Sequence, residues 1–255
     1  MRYLLLYIFL FAGLMHLNAQ KLPDSDWKIQ DADILGNFYF SDGTDLVKTK
    51  VDGTILDEYQ DQLLGDIYQI DCYKGLKVLV FHQTTNNVLI LDNQLAPLGE
   101  AIDLSDGMFY DIAAVCLGAD DKLWIADEQT GQLKLVDRTL SVIQTGVVFR
   151  QYTSAEKIVR FVNRGNLILM TTSDNELLVF DHFGSFISKH SFKSLFHSWL
   201  GVSGLFYMSG DQMIKYSYNR GLFDTVAEVG NEINGILESK NQLYLLEENR
   251  IKKLK

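Results

Sequence analysis

KLWIADEQTGQLKLVD, Lys122–Asp137, holds two short apolar bursts around a polar turn, and each burst ends in aspartate. Alternating apolar residues on both sides of a Gln-Thr-Gly turn read as a β-hairpin. The same pattern occurs elsewhere, as NFYFSDGTDLVKTKVDG ending near Asp52, KVLVFHQTTNNVLILDN around Asp92 and NLILMTTSDNELLVFDHFG around Asp181. The four aspartates are spaced by 40, 45 and 44 residues. Two further copies follow, GLFYMSGDQMIKYSYNRG and QLYLLEENRIKKLK. A period of about 40–50 residues with several strands per unit predicts propeller blades.

Each hairpin has apolar neighbours. IYQIDCY, YDIAAVCLG, EKIVRFVN and EINGILES precede hairpins, and GTILDEY, NQLAPLGEAI, RTLSVIQTGVVF, GSFISKHSF and GLFDTVAEV follow them. The expected fold is therefore all-β: a six-bladed β-propeller of four-stranded antiparallel blades, with the first strand of each blade nearest the axis. The recurring aspartate is expected to accept backbone N–H groups in the turn before the outermost strand. The sixth unit ends after its third strand. Asp26–Gln30, DWKIQ, is expected to supply the missing outer strand, so that N-terminal strand pairing with the C-terminal blade closes the ring, while Ala32–Leu35 begins blade one. A five-bladed ring and a β-sandwich are the alternatives, and the repeat period disfavours the sandwich.

The first nineteen residues have the layout of a secretory signal peptide: Arg2, an uncharged apolar run from Tyr3 to Met15, and Ala19 before the expected cleavage site. The run is short for a membrane span, which needs about 20 apolar residues. Residues 20–255 are expected to form a single propeller domain, secreted to the periplasm or cell surface, with no stable membrane span after cleavage. The ending at Gln20 resembles that of secreted proteins of the Bacteroidetes type. Removing the leader takes away Arg2 and no acid, which changes the net charge from −10 to −11. An acidic chain without a basic stripe repels phosphate backbones, so nucleic acid is not an expected partner. Cys72 and Cys116 fall on innermost strands of neighbouring blades, which splay around the axis, and are expected to be free, buried thiols.

The motif KLWIAD followed by QLKLVD resembles the NHL-type repeats of secreted bacterial six-bladed propellers. In such propellers one face carries both the connections between blades and the central hairpin turns, and it is the usual binding face. On that face the expected partner-contacting residues are Trp199, Phe196, His197, Tyr152, Arg150, Tyr110 and His82. SFKSLFHSWLG, Ser191–Gly201, reads as a long aromatic connection, and Trp199→Ala is expected to abolish partner capture with little change in stability.

No catalytic residues, metal site or cofactor are expected. The aspartate clusters have turn spacing and lack the twelve-residue calcium loop, the histidines lack zinc spacing, and no nucleophile elbow or phosphate loop appears. The expected function is a non-catalytic protein-binding module or accessory part of a cell-envelope assembly. The alternative is a metal-dependent enzyme similar to lactonase-like or sugar-dehydrogenase-like propellers, using polar groups of the innermost strands: Asp31, Asp33, Asp71, Asp111, Glu156, Arg160 and Asn234.

Overall fold

A computed structural model describes residues 27–230, 233–247 and 250–254. The expected signal peptide, residues 1–19, lies outside them. Six antiparallel sheets follow one another along the chain. Blade one holds β1 (Lys28–Ala32), β2 (Phe38–Ser41), β3 (Asp45–Thr49) and β4 (Ile55–Gln60). Blade two holds β5 (Gln69–Asp71), β6 (Lys77–His82), β7 (Asn87–Asp92) and β8 (Ile102–Asp103). Blade three holds β9 (Ile112–Leu117), β10 (Leu123–Asp127), β11 (Gln132–Val136) and β12 (Val142–Val148). Blade four holds β13 (Ile158–Arg164), β14 (Leu167–Thr172), β15 (Glu176–Asp181) and β16 (Phe186–Ser191). Blade five holds β17 (Ser198–Leu200), β18 (Leu205–Ser209), β19 (Gln212–Ser217) and β20 (Leu222–Glu228). Blade six holds β21 (Ile233–Ser239), β22 (Gln242–Glu247) and β23 (Arg250–Lys253), three strands among the described residues. The chain is a six-bladed β-propeller.

The opening stretch is the β10–β11 hairpin, with Trp124 opposite Leu135 and Asp127 opposite Gln132. Central strands are apolar on both faces, because each blade packs between two others. Val78, Leu79, Val80 and Phe81 of β6 are all fully buried. Each such side chain contributes about 1.5–3 kcal/mol on leaving water. The recurring aspartates act as expected. Asp92 Oδ1 accepts the N–H groups of Gln94 and Ala96 at 2.8 and 2.9 Å. Asp137 does the same for Thr139 and Ser141, and Asp181 for Phe183 and Ser185.

The N-terminal strand departs from expectation. Lys28–Gln30 belongs to β1, the innermost strand of blade one, and pairs with β2 in the register Lys28 to Ser41 and Ala32 to Phe38. It is not the outer strand of blade six. Asp33 and Gly36 explain the difference. The Asp33 carboxylate accepts the N–H groups of Leu35 and Asn37, and Gly36 has φ +93°, so the chain turns where strand one was expected to start. Among the described residues the ring joins by packing. Ala32, Phe38, Phe40 and Val47 of blade one share a core with Ile236, Leu237, Leu245 and Leu246 of blade six. Ser239 Oγ also donates to the Asp33 carbonyl.

Two other elements differ. The long connection Ser191–Gly201 contains β17, the innermost strand of blade five, which pairs with β18. In blade two the outer strand is only Ile102–Asp103, preceded by an isolated bridge between Leu91 and Pro97. Proline cannot donate to a ladder, which suits it to this edge. Cys72 and Cys116 are free and buried, and burial pushes both thiols well above their ordinary pKa.

Candidate functional site: one face and the central channel

Strand direction alternates within a blade, so the blade-to-blade connections and the turns between second and third strands emerge at the same end. The innermost strands start at that end, around the mouth of the central channel. β5 divides this mouth. Tyr68 Oη, one residue before β5, donates to the Ile158 carbonyl of blade four at 3.1 Å. Gln69 Nε2 donates to the carbonyls of Val115 and Phe161 at 3.0 and 2.6 Å. Blades two and four are not neighbours, so the bonds to Ile158 and Phe161 cross the channel, while the bond to Val115 ties β5 to the adjacent blade three.

On one side lies a cavity of about 590 Å³ lined by Trp27, Lys28, Arg160, Phe196, His197, Trp199 and Asn234, among others. On the other lies one of about 420 Å³, whose lining includes Tyr68, Gln83, Asp111, Glu128, Arg150, Glu156 and Lys157.

Below the mouth the channel is held by charge. Arg160 and Arg164 stand four residues apart on β13, so alternation turns both toward the axis. Arg164 pairs with Asp31 and Asp71, each at 3.1 Å, and donates through Nε to the Leu200 carbonyl at 3.1 Å. Arg160 also pairs with Asp31, at 2.9 Å. One arginine thus ties blade four to blades one, two and five. The carboxylates are further satisfied by backbone: Cys72 N–H donates to Asp31, and Leu117 N–H to Asp71. Burial raises the Asp71 pKa, and Arg164 opposes without cancelling it. Burial alone would lower the Arg164 pKa, but Asp31 and Asp71 outweigh it and hold the guanidinium charged.

The expected contact residues fall into two groups. Phe196 and Tyr110 stand in solvent, 84% and 65% exposed, and His197 is half-buried at the wall of the larger cavity. Burial lowers the His197 pKa, with a hydrogen bond to the Asn234 backbone opposing it. Arg150 lines the smaller cavity, paired with Glu128 and donating to the Ala155 carbonyl at 2.6 Å. Half-buried Tyr152 stacks on Phe186, with ring centroids 3.7 Å apart. Trp199 and His82 are packed positions. Trp199 lies on β17, is 5% exposed, and joins the core of Phe38, Phe206 and Ile236. The Arg160 guanidinium sits 5.1 Å above its ring. His82 is fully buried, with Nδ1 2.8 Å from the Gly65 carbonyl.

Of the innermost-strand polar groups, Asp31 and Asp71 are held by guanidinium groups, and Asp33 holds a turn and the Tyr39 hydroxyl. Asp111 and Glu156 line the smaller cavity. Among the described residues no three His, Cys, Asp or Glu side chains group as a metal site. Sequence reading missed Arg164. Its signal was the four-residue spacing from Arg160 on an alternating strand. Leu63 and Met108, on the same connections as the site, are 92% and 72% exposed. Among the described residues no helix is long and apolar enough to cross a membrane.

No protein-family model matches the chain, and no curated protein matches it. Solved structures do. Virginiamycin B lyase from Staphylococcus aureus superposes with a TM-score of 0.57 at 13% identity, over 91% of this chain and 80% of that one. A streptogramin B lyase gives 0.55 at 13% identity, over 92% and 96%. The β-propeller domain of Cps50 (Swd1) from Myceliophteria thermophila gives 0.60 at 13% identity, over 89% and 82%. These likenesses are of fold, and propellers serve both enzymes and binding proteins.

Proposed function

We propose that the chain is a secreted, non-catalytic propeller that binds a protein partner through the face described above, as an accessory part of a cell-envelope assembly. The observation that carries the reading is that Leu63, Met108, Tyr110 and Phe196, all more than half exposed, stand on three blade connections at one end of the ring. Large apolar side chains standing clear of a surface mark interaction sites, and aromatic ones anchor interfaces. The leader-like first nineteen residues support secretion, and the acidic charge disfavours nucleic acid as the partner.

A photo-crosslinking residue placed at Phe196 or Tyr110 should give one defined protein adduct in the native envelope, and the same residue at Lys50, on the opposite face, should give none. Equal yields from all three positions, or no adduct from any, would sink the reading.

Asp111 and Glu156 at the smaller cavity favour a second reading, a calcium-assisted lactonase-like or sugar-dehydrogenase-like enzyme. On the binding reading, calcium produces no saturable rise in thermal midpoint, and no lactone is hydrolysed. A saturable rise together with hydrolysis would decide for the enzyme.

A further inference from the structure

The larger cavity departs from the charge of the chain that contains it. The protein has a net charge of −10, yet the described residues lining this cavity include Lys28 and Arg160 and, among them, no aspartate or glutamate. Lys28 is exposed and has no carboxylate partner among the described residues. Arg160 is held by an ion pair from Nη2 to Asp31 at 2.9 Å, by the Gln30 carbonyl and by the Trp199 ring, and its Nε and Nη2 are buried without a hydrogen-bond partner among the described residues. Deeper in the channel, Asp31 and Asp71 are matched by Arg160 and Arg164, so among the described residues Lys28 is the unmatched charge of this cavity's lining. Around these cations stand Trp27, Phe196 and Trp199. An aromatic wall with fixed cations accommodates an apolar group that carries an anion.

We propose that this cavity takes a carboxylate-bearing apolar residue of a peptide, with Lys28 and Arg160 facing the carboxylate and Phe196 and Trp199 facing the side chain. The assignment rests on the protein-partner reading and specifies what the partner presents. The volume of about 590 Å³ suits one or two residues of a chain rather than a folded surface. The carboxylate could be a chain terminus or an Asp or Glu side chain beside an aromatic residue.

Three peptides separate the cases when titrated into the full-length mature protein: acetyl-Gly-Gly-Phe as the free acid, its amide, and acetyl-Gly-Asp-Phe amide. Binding is read by calorimetry and by the fluorescence of Trp27 and Trp199. A carboxylate peptide should bind at least about ten-fold tighter than the neutral amide, the gain of a charge-assisted contact, and the preference should shrink with added salt. Preference for the free acid identifies a chain terminus, and preference for the aspartyl amide identifies a side chain. Lys28→Glu, at an exposed position, should erase the preference without shifting the thermal midpoint, and Arg160→Met should do the same wherever it folds. Equal binding of acid and neutral amide, survival of the preference in Lys28→Glu, or tighter binding of inorganic phosphate overturns the proposal. Crosslinking from Tyr110 in the native envelope reads the partner independently, so loss of the peptide result leaves the docking reading standing.

Discussion

Arg164→Met lowers the thermal midpoint by roughly 10–15 °C at neutral pH. Removing one partner of a buried ion pair strands the other charges, at a cost of about 3–5 kcal/mol, and each kcal/mol moves the midpoint by about 2–4 °C in a domain of this size. Arg164 is 2% exposed, and its loss leaves Asp71 without its cation and Asp31 with only Arg160. The loss should depend on pH in a fixed direction. Burial already raises the Asp71 pKa in the native protein. A carboxyl with a raised folded pKa binds more protons folded than unfolded between its ordinary and raised values, so its contribution to stability falls as pH rises through that window. Without Arg164 the window widens upward. The deficit is therefore smaller at pH 5 than at pH 7.5, and Arg164→Met combined with Asp71→Asn recovers part of it. Differential scanning calorimetry at the two pH values checks both points, and a deficit independent of pH would mean that shape alone fixes the midpoint.

Trp199→Ala and Phe196→Ala should separate, although the residues are three apart. Trp199 is buried among Phe38, Phe206 and Ile236, so truncation costs about 3–5 kcal/mol in transfer and cavity terms. Phe196 is 84% exposed, so Phe196→Ala leaves the midpoint within about 2 °C and reduces partner recovery at least about ten-fold if it is an interface anchor. This reverses the expectation from sequence, in which Trp199 was the contact and stability was spared. Chemical denaturation beside co-purification from the native envelope reads both. Unchanged recovery in Phe196→Ala removes this side chain from the interface.

The two outcomes share a cause that was hidden in Ser191–Gly201. That stretch shows no clear alternation, so it read as an aromatic loop. Only three of its residues, Ser198–Leu200, form a strand, and their pairing with Leu205–Tyr207 is what buries Trp199. A three-residue strand has too few positions to show a period of two. His82 was misread in the same way. It follows an apolar run and precedes Gln-Thr-Thr, so it looked like part of a turn, but it is the last residue of β6, folded over the Gly65 carbonyl. At the N-terminus DWKIQ looked like a free closing strand because the turn at Asp33–Asn37 resembles strand sequence until Asp33 is seen holding the N–H groups of Leu35 and Asn37.

The sequence by itself determined the six-bladed ring, the hairpin at Lys122–Asp137 and the aspartate turns. These depend on alternation, turn chemistry and repeat spacing, all local properties written within one unit. Only the tertiary structure decided that Arg164 meets Asp31 and Asp71 across the axis, that Tyr68 and Gln69 split the channel mouth, and that Lys28 joins Arg160 and Trp199 around one cavity. Those residues come from different blades, and Arg164 and Asp31 alone are 133 positions apart. Nothing in their local sequence encodes which innermost strands face one another, since that follows from closing the ring.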